Sequence, residues 1–172
     1  MGHHYRIQFT LAAVGAVADE LALVSIHRTA EATSKPLFIW EVQLSLANGT
    51  AVAGNIVVRA QREATVLFSG GGAGVIAKVN GRSPDSGATV LVGAPSLTGT
   101  PTTAGRLASF GHNTAVLNST SNHRLDFHRG PGDLWTPLCS VVGTEQFALV
   151  LDEANPAAAS LITGSIMWEE MP

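Results

Sequence analysis

The densest run of side chains able to do chemistry is His123-Arg124-Leu125-Asp126-Phe127-His128. Imidazoles and carboxylates bind divalent metals and move protons. On a strand, successive side chains point to opposite faces. Asp126 and His128 would then share one face, with His123 on the other and His112 brought in from elsewhere. A solvated polar face opposite Leu125 and Phe127 accounts for the same spacing. The six histidines, at 3, 4, 27, 112, 123 and 128, show no cupin-like spacing. The expectation is therefore no metal, no cofactor and no catalytic residue.

Other motifs point the same way. Gly72-Ala73-Gly74-Val75-Ile76-Ala77 matches a dinucleotide fingerprint on paper. That chemistry needs a helix opening at the glycines, so that its N–H groups hold a pyrophosphate. Asn80-Gly81 and Pro84 follow too soon to leave room for one. Neither a nucleophile elbow (G-x-S-x-G) nor a zinc motif (H-E-x-x-H) occurs. The carboxylates are sparse and do not suggest a glycosidase pair. The single cysteine, Cys139, excludes an intrachain disulfide and a cysteine zinc cluster. Its apolar surroundings suit a buried, inert thiol. Trp40 and Trp168 fall on apolar faces and read as core. Trp135 follows a Gly-Pro-Gly turn and is the better contact residue.

Composition sets the class. Of 172 residues, 45% are hydrophobic but only 13% charged, and the formal net charge is −3. A typical soluble domain carries about 25% charge, so the surface must be mostly neutral. Non-specific nucleic-acid binding needs a clustered basic excess, which 10 basic against 13 acidic residues do not supply. No apolar run reaches the ~18 residues of a membrane span. Gln8 and Thr10 break the N-terminal apolar patch, so no signal peptide is expected.

The elements that must carry these residues are strands. Tyr5, Ile7, Phe9 and Leu11 alternate with polar residues. Leu21 to His27 reads as a second strand. Phe38, Trp40, Val42, Leu44 and Leu46 alternate in the clearest segment, which puts all five on one face. Ile56–Arg59, Thr65–Phe68, Arg124–Phe127, Phe147–Leu151 and Ile162–Trp168 complete the set. Ala12–Ala22 has weak helical propensity, and Arg106–Leu117 is ambiguous. Gly70–Gly74 breaks the pattern. Residues 80–105 read as a long, weakly structured excursion around the apolar Ala88–Val92. Such loops are often functional or partner-bound. About eight short strands with Gly/Pro turns predict one all-β domain over residues 1–172, a jelly-roll-like β-sandwich.

The order of segments carries a resemblance. Tyr5-Arg-Ile-Gln-Phe comes first, then Lys35-Pro-Leu-Phe-Ile, an Ile-Val-Val-Arg strand and the glycine run. Pro131-Gly-Asp, Phe147-Ala-Leu-Val-Leu and Gly164-Ser-Ile-Met-Trp-Glu-Glu close the chain. This resembles small all-β virion structural proteins of tailed phages and prophages, although Leu97–Ser121 departs from the pattern. The resemblance implies a non-enzymatic capsid decoration or cement protein, made in the host cytoplasm and located in the virion. Its partner would be the major capsid protein or another virion protein, and it would bind as an oligomer, with a trimer favoured. A neutral Ser/Thr/Gly surface lowers the desolvation cost of such docking. The expected contact residues are Gly70, Gly71, Gly72, Leu97, Thr98 and Trp135. The competing reading is a tail or fibre module that recognises carbohydrate through Trp135, Asp133, His123 and His128.

Overall fold

In a computed structural model of the chain, the described residues are 2–14, 22–28, 35–48, 54–64, 68–69, 71–93, 96–97, 105–113, 115, 119–126, 137–151 and 160–172. Among them the structure forms strands and no helix. The strands are β1 (His3–Val14), β2 (Ala22–Arg28), β3 (Leu37–Asn48), β4 (Asn55–Glu63), β5 (Phe68–Ser69), β6 (Gly72–Ala73) and β7 (Ile76–Lys78). They continue with β8 (Ala88–Val92), β9 (Ser96–Leu97), β10 (Arg106–Asn113), β11 (Thr120–Asp126), β12 (Cys139–Val141), β13 (Gln146–Leu151) and β14 (Ser160–Glu170).

Sheet A has the order β11-β3-β14-β1-β7, with β12 sharing the β11 edge of β3. Sheet B has the order β10-β4-β13-β2-β8-β6. Every pairing is antiparallel. Eight strands carry a nested wrap: β1 with β14, β2 with β13, β3 with β11, β4 with β10. Successive pairs alternate between the sheets, which is the jelly-roll connection. The expected β-sandwich is thus the observed fold, with the remaining strands short.

The core forms where the inner faces meet. Tyr5, Ile7 and Phe9 of β1 pack against Ile162, Ile166 and Trp168 of β14 and Val42, Leu44 and Leu46 of β3. Sheet B answers with Val24, Ile26, Val58, Phe147 and Leu149. Gly164 sits where a Cβ would lie 2.7 Å from the Phe9 ring and 2.4 Å from the Gln43 carbonyl oxygen. The outer face of sheet B is buried as well. Ala22, Ala148 and Val150 are fully covered there, beside Arg59, Gln61 and Glu63. Arg59 Nε donates to Gln61 at 2.5 Å and Gln61 Nε2 to Glu63 at 2.6 Å.

Three readings need correction. A bulge in β3 pairs Trp168 with Ile39 but Met167 with Glu41, leaving Trp40 as the extra residue. A bulge shifts which residues face inward. Leu37 and Ile39 therefore take the core, and Phe38 and Trp40 point outward, half-buried. Strict alternation assigned these two to the wrong face. The glycine run also does not end the sheets. Gly72–Ala73 pairs with β8 in sheet B, and Ile76–Lys78 pairs with β1 in sheet A. Finally, Ala88–Val92 inside the supposed excursion is a paired strand of sheet B. The crossover from β4 to β10 thus returns to extend both sheets. The suggested helix over Ala12–Ala22 begins as strand through Val14, and its residues 15–21 lie outside the described set.

Candidate functional site

Two polar clusters bind the sheets together, one at each end of the sandwich. At the first end, Arg28 of β2 meets Glu170 of β14 at 2.7 Å. Trp168 Nε1 donates to the same carboxylate at 3.0 Å and the Gly87 N–H at 2.9 Å, and Ser86 adds its hydroxyl. Burial is the largest single influence on Glu170 and favours the neutral acid, but the four donors together outweigh it and hold its pKa below the usual range. Tyr5 stacks on Trp168 at 5.9 Å and donates its hydroxyl to the Pro84 carbonyl at 3.0 Å.

At the other end, His112 of β10 reaches Asn48 of β3 through Nε2 at 2.9 Å. Its Nδ1 lies 2.8 Å from the Ser121 hydroxyl, and Ser119 donates to Asn48 at 2.9 Å. With the Asn48 carbonyl accepting, Nε2 carries the proton and Nδ1 accepts from Ser121. Burial, then the nearby His123, lowers the His112 pKa. His123 faces inward too, with Nε2 donating to the Gly111 carbonyl at 3.0 Å and its ring tilted against Phe110 at 5.7 Å. His112 and His123, which the sequence offered as metal ligands only for that reading to be set aside, therefore close the seam between β10 and β11.

Asp126 points the opposite way, onto the outer face of sheet A. Register sets three rows across that face. Thr10, Thr163, Ser45 and Asn122 form one, and Gln8, Ser165, Gln43 and Arg124 the next. The third holds Arg6, Met167, Glu41 and Asp126. Arg124 bridges Glu41 and Asp126, each at 3.0 Å. Gln43 also bonds Glu41, and Arg6 donates to Ser165 at 3.0 Å. Trp40, displaced outward by the bulge, donates its Nε1–H to Glu169 at 3.0 Å. Periodicity missed this placement because a one-residue bulge leaves no mark on an apolar run.

The expected contact residues are only partly brought together. Gly71 adopts φ +75°, and Gly72 lies exposed in β6. Leu97 belongs to β9, paired with Phe68. Gly70, Thr98 and Trp135 lie outside the described residues, as do Asp133 and His128 of the carbohydrate set. Next to Gly71 and Gly72, the segment up to Val79 runs along the open side of the sandwich. Gly74 crosses from sheet B to sheet A there, its N–H donating to the Val90 carbonyl at 2.8 Å. Val75 is 85% exposed and Val79 58% exposed. Sequence reading missed both valines, whose exposure follows from the crossing.

Among the described residues, no group of three or more His, Cys, Asp or Glu is placed to hold a metal ion. No helix of the described residues is long and apolar enough to cross a membrane. No family model matches the chain, and no curated protein matches it. The solved structures that match include a chain from the structure of deformed wing virus carrying the GFP gene. It aligns at 10% identity and a TM-score of 0.30, over 94% of this chain and 74% of that one.

Proposed function

We propose that this chain is a non-enzymatic phage virion structural protein, a capsid decoration protein seated on the outer head shell as an oligomer. The observation that supports this most is the exposed edge from Gly71 to Val79. Among the described residues, two short strands end there with no partner on their outer edges, flanked by Val75 and Val79. Soluble monomers seldom leave such an edge uncovered, because it templates pairing with another chain. The jelly-roll wrap and the low surface charge are compatible with the role, and so is the resemblance in segment order. In this reading the edge makes the contact between copies, and a trimer is the expected state.

Electron microscopy of the native particle tests the reading. Density in a regular array on an icosahedral shell is the expected result. Density confined to a tail or fibre would put carbohydrate recognition in its place, and a particle without this chain would remove both. Sedimentation of the purified chain tests the edge separately. The double substitution Val75→Asp with Val79→Asp is expected to convert an oligomer to monomer without loss of fold. An oligomer unchanged by it would move the contact elsewhere.

A further inference from the structure

The chain holds two Asn-Gly pairs, Asn48-Gly49 and Asn80-Gly81. Asparagine is thermolabile, because the backbone nitrogen of the next residue can attack its side-chain amide carbon. A following glycine has no Cβ to hinder that approach. The fold treats the two asparagines differently. Asn48 is 2% exposed in β3, and its Oδ1 accepts from His112 Nε2 and from the Ser119 hydroxyl. A side chain held by those bonds is not free to swing onto its own backbone. Asn80 lies in the exposed turn between β7 and β8. Its Oδ1 accepts the Arg82 N–H at 3.1 Å, and its backbone carbonyl accepts the Ser83 N–H at 2.9 Å. Such an Asx bond folds the side chain back along its own backbone, over the next residue. Gly81 is exposed, and nothing lies within 4 Å of where a Cβ would stand.

We propose that Asn80 is a self-modification site, which deamidates in the folded chain while Asn48 is held intact. The Gly81 nitrogen gives its proton to water and bonds to Asn80 Cγ. The carbonyl electron pair moves onto Oδ1, where the Arg82 N–H already points. A donor in place at a developing oxyanion lowers the barrier. The pair then returns, the Cγ–Nδ2 bond breaks, and Nδ2 takes up a proton and leaves as ammonia. Water opens the resulting cyclic imide at either carbonyl, giving aspartate or isoaspartate. One water is consumed and one ammonia released, with no oxidation or reduction. The new carboxylate adjoins Val79, at the end of the exposed edge. A charge there opposes burial of that edge against a second copy. This consequence rests on the virion reading; the reaction itself does not.

The test is a peptide map by mass spectrometry of the full chain, aged in warm neutral buffer and, separately, in urea. In urea both asparagines are expected to convert. In native buffer the peptide with Asn80 should gain the mass difference between an amide and an acid. It should give two products, one of them a substrate for isoaspartyl methyltransferase, while the peptide with Asn48 stays unchanged. Gly81→Ala has room for its methyl group and replaces a glycine without positive φ. It should slow the conversion several-fold and leave Tm unchanged. Equal native rates at Asn48 and Asn80 would overturn the proposal. So would an Asn80 that converts in urea but stays intact in native buffer, or a rate that Gly81→Ala does not slow. Sedimentation of Asn80→Asp reads the consequence for the edge. Weaker self-association than the parent is expected, and equal association would remove that consequence. Because the peptide map uses the free chain, its failure leaves the particle experiment untouched, and the converse also holds.

Discussion

Arg28 and Glu170 meet at 2.7 Å across the sandwich, one from each sheet, with side chains 1% and 8% exposed. A buried pair is weak evidence of net stability, but breaking it by removing one partner strands a charge. Glu170→Gln is expected to cost about 3–5 kcal/mol in urea unfolding. Replacing Arg28 and Glu170 together with Met should cost less than the single change. A double variant as damaged as the single one would mean that the Trp168, Ser86 and Gly87 donors matter more than Arg28.

Glu170 also gives an acid dependence. Its folded-state pKa lies below the ordinary value. The unfolded chain therefore takes up the proton first, below about pH 4.3. Its contribution is full above that pH and is lost as pH falls through the folded pKa. Unfolding free energies at pH 5 and below should fall less steeply for Glu170→Gln than for the parent.

His112 acts at milder pH. Burial lowers its folded pKa, so the neutral form belongs to the native state. Its contribution is present above about pH 6.5, where the unfolded histidine is neutral, and is lost as pH falls through the folded pKa. His27, lowered by burial as well, adds to the same slope. His112→Gln should flatten the fall in stability between about pH 6.5 and 5 without abolishing it. A slope that did not change would place the pH sensitivity elsewhere.

Two glycines should respond differently to one added methyl group. At Gly74 a Cβ would lie 2.3 Å from Ile7 Cδ1 and 2.9 Å from Val90 Cγ1, both ends of side chains that can turn. Overpacking of this kind costs about 1–3 kcal/mol. At Gly164 the nearest atom is the Gln43 backbone oxygen, which cannot turn away. Gly164→Ala should lower Tm more than Gly74→Ala, and the reverse order would mean that β14 can shift locally.

Cys139 should be inert. Burial pushes its thiol up to about 12, so almost none is thiolate at neutral pH. A thiol reagent is expected to label the chain in urea but not in native buffer. Rapid native labelling would show that β12 opens readily from the edge of β3.

Much of the fold was legible in the chain because alternation reports a half-buried strand directly. β13, buried on both faces, shows itself by its apolar run instead, but β1 and β14 follow the alternation along almost their whole length. β3 follows it only from Val42 onward, since the bulge at Trp40 reverses the faces of everything before it. β6 and β7 were hidden for a different reason: Gly72, Ala73 and Ala77 lack the side chains that would show a period of two. The candidate site was least legible. The opposite parity of His123 and Asp126 was legible, and it sends one to the seam and the other to the outer face of sheet A, but the partners they meet there were not. Trp40 read as core, because the apolar run around it concealed the bulge that turns it outward.

The position of β14 also bears on synthesis. It lies between β3 and β1 at the centre of sheet A, although it comes last of the strands in the chain. The N-terminal strand therefore waits for residues 160–170 before it gains its main partner. A ribosome adds about 5–20 residues per second, so roughly ten seconds or more pass with β1 exposed. Sheet A then assembles only after translation has delivered Ser160–Glu170. Such long-range closure belongs with the slow, millisecond-to-second folders, and a nascent chain stalled before β14 would present Tyr5, Ile7 and Phe9 to chaperones.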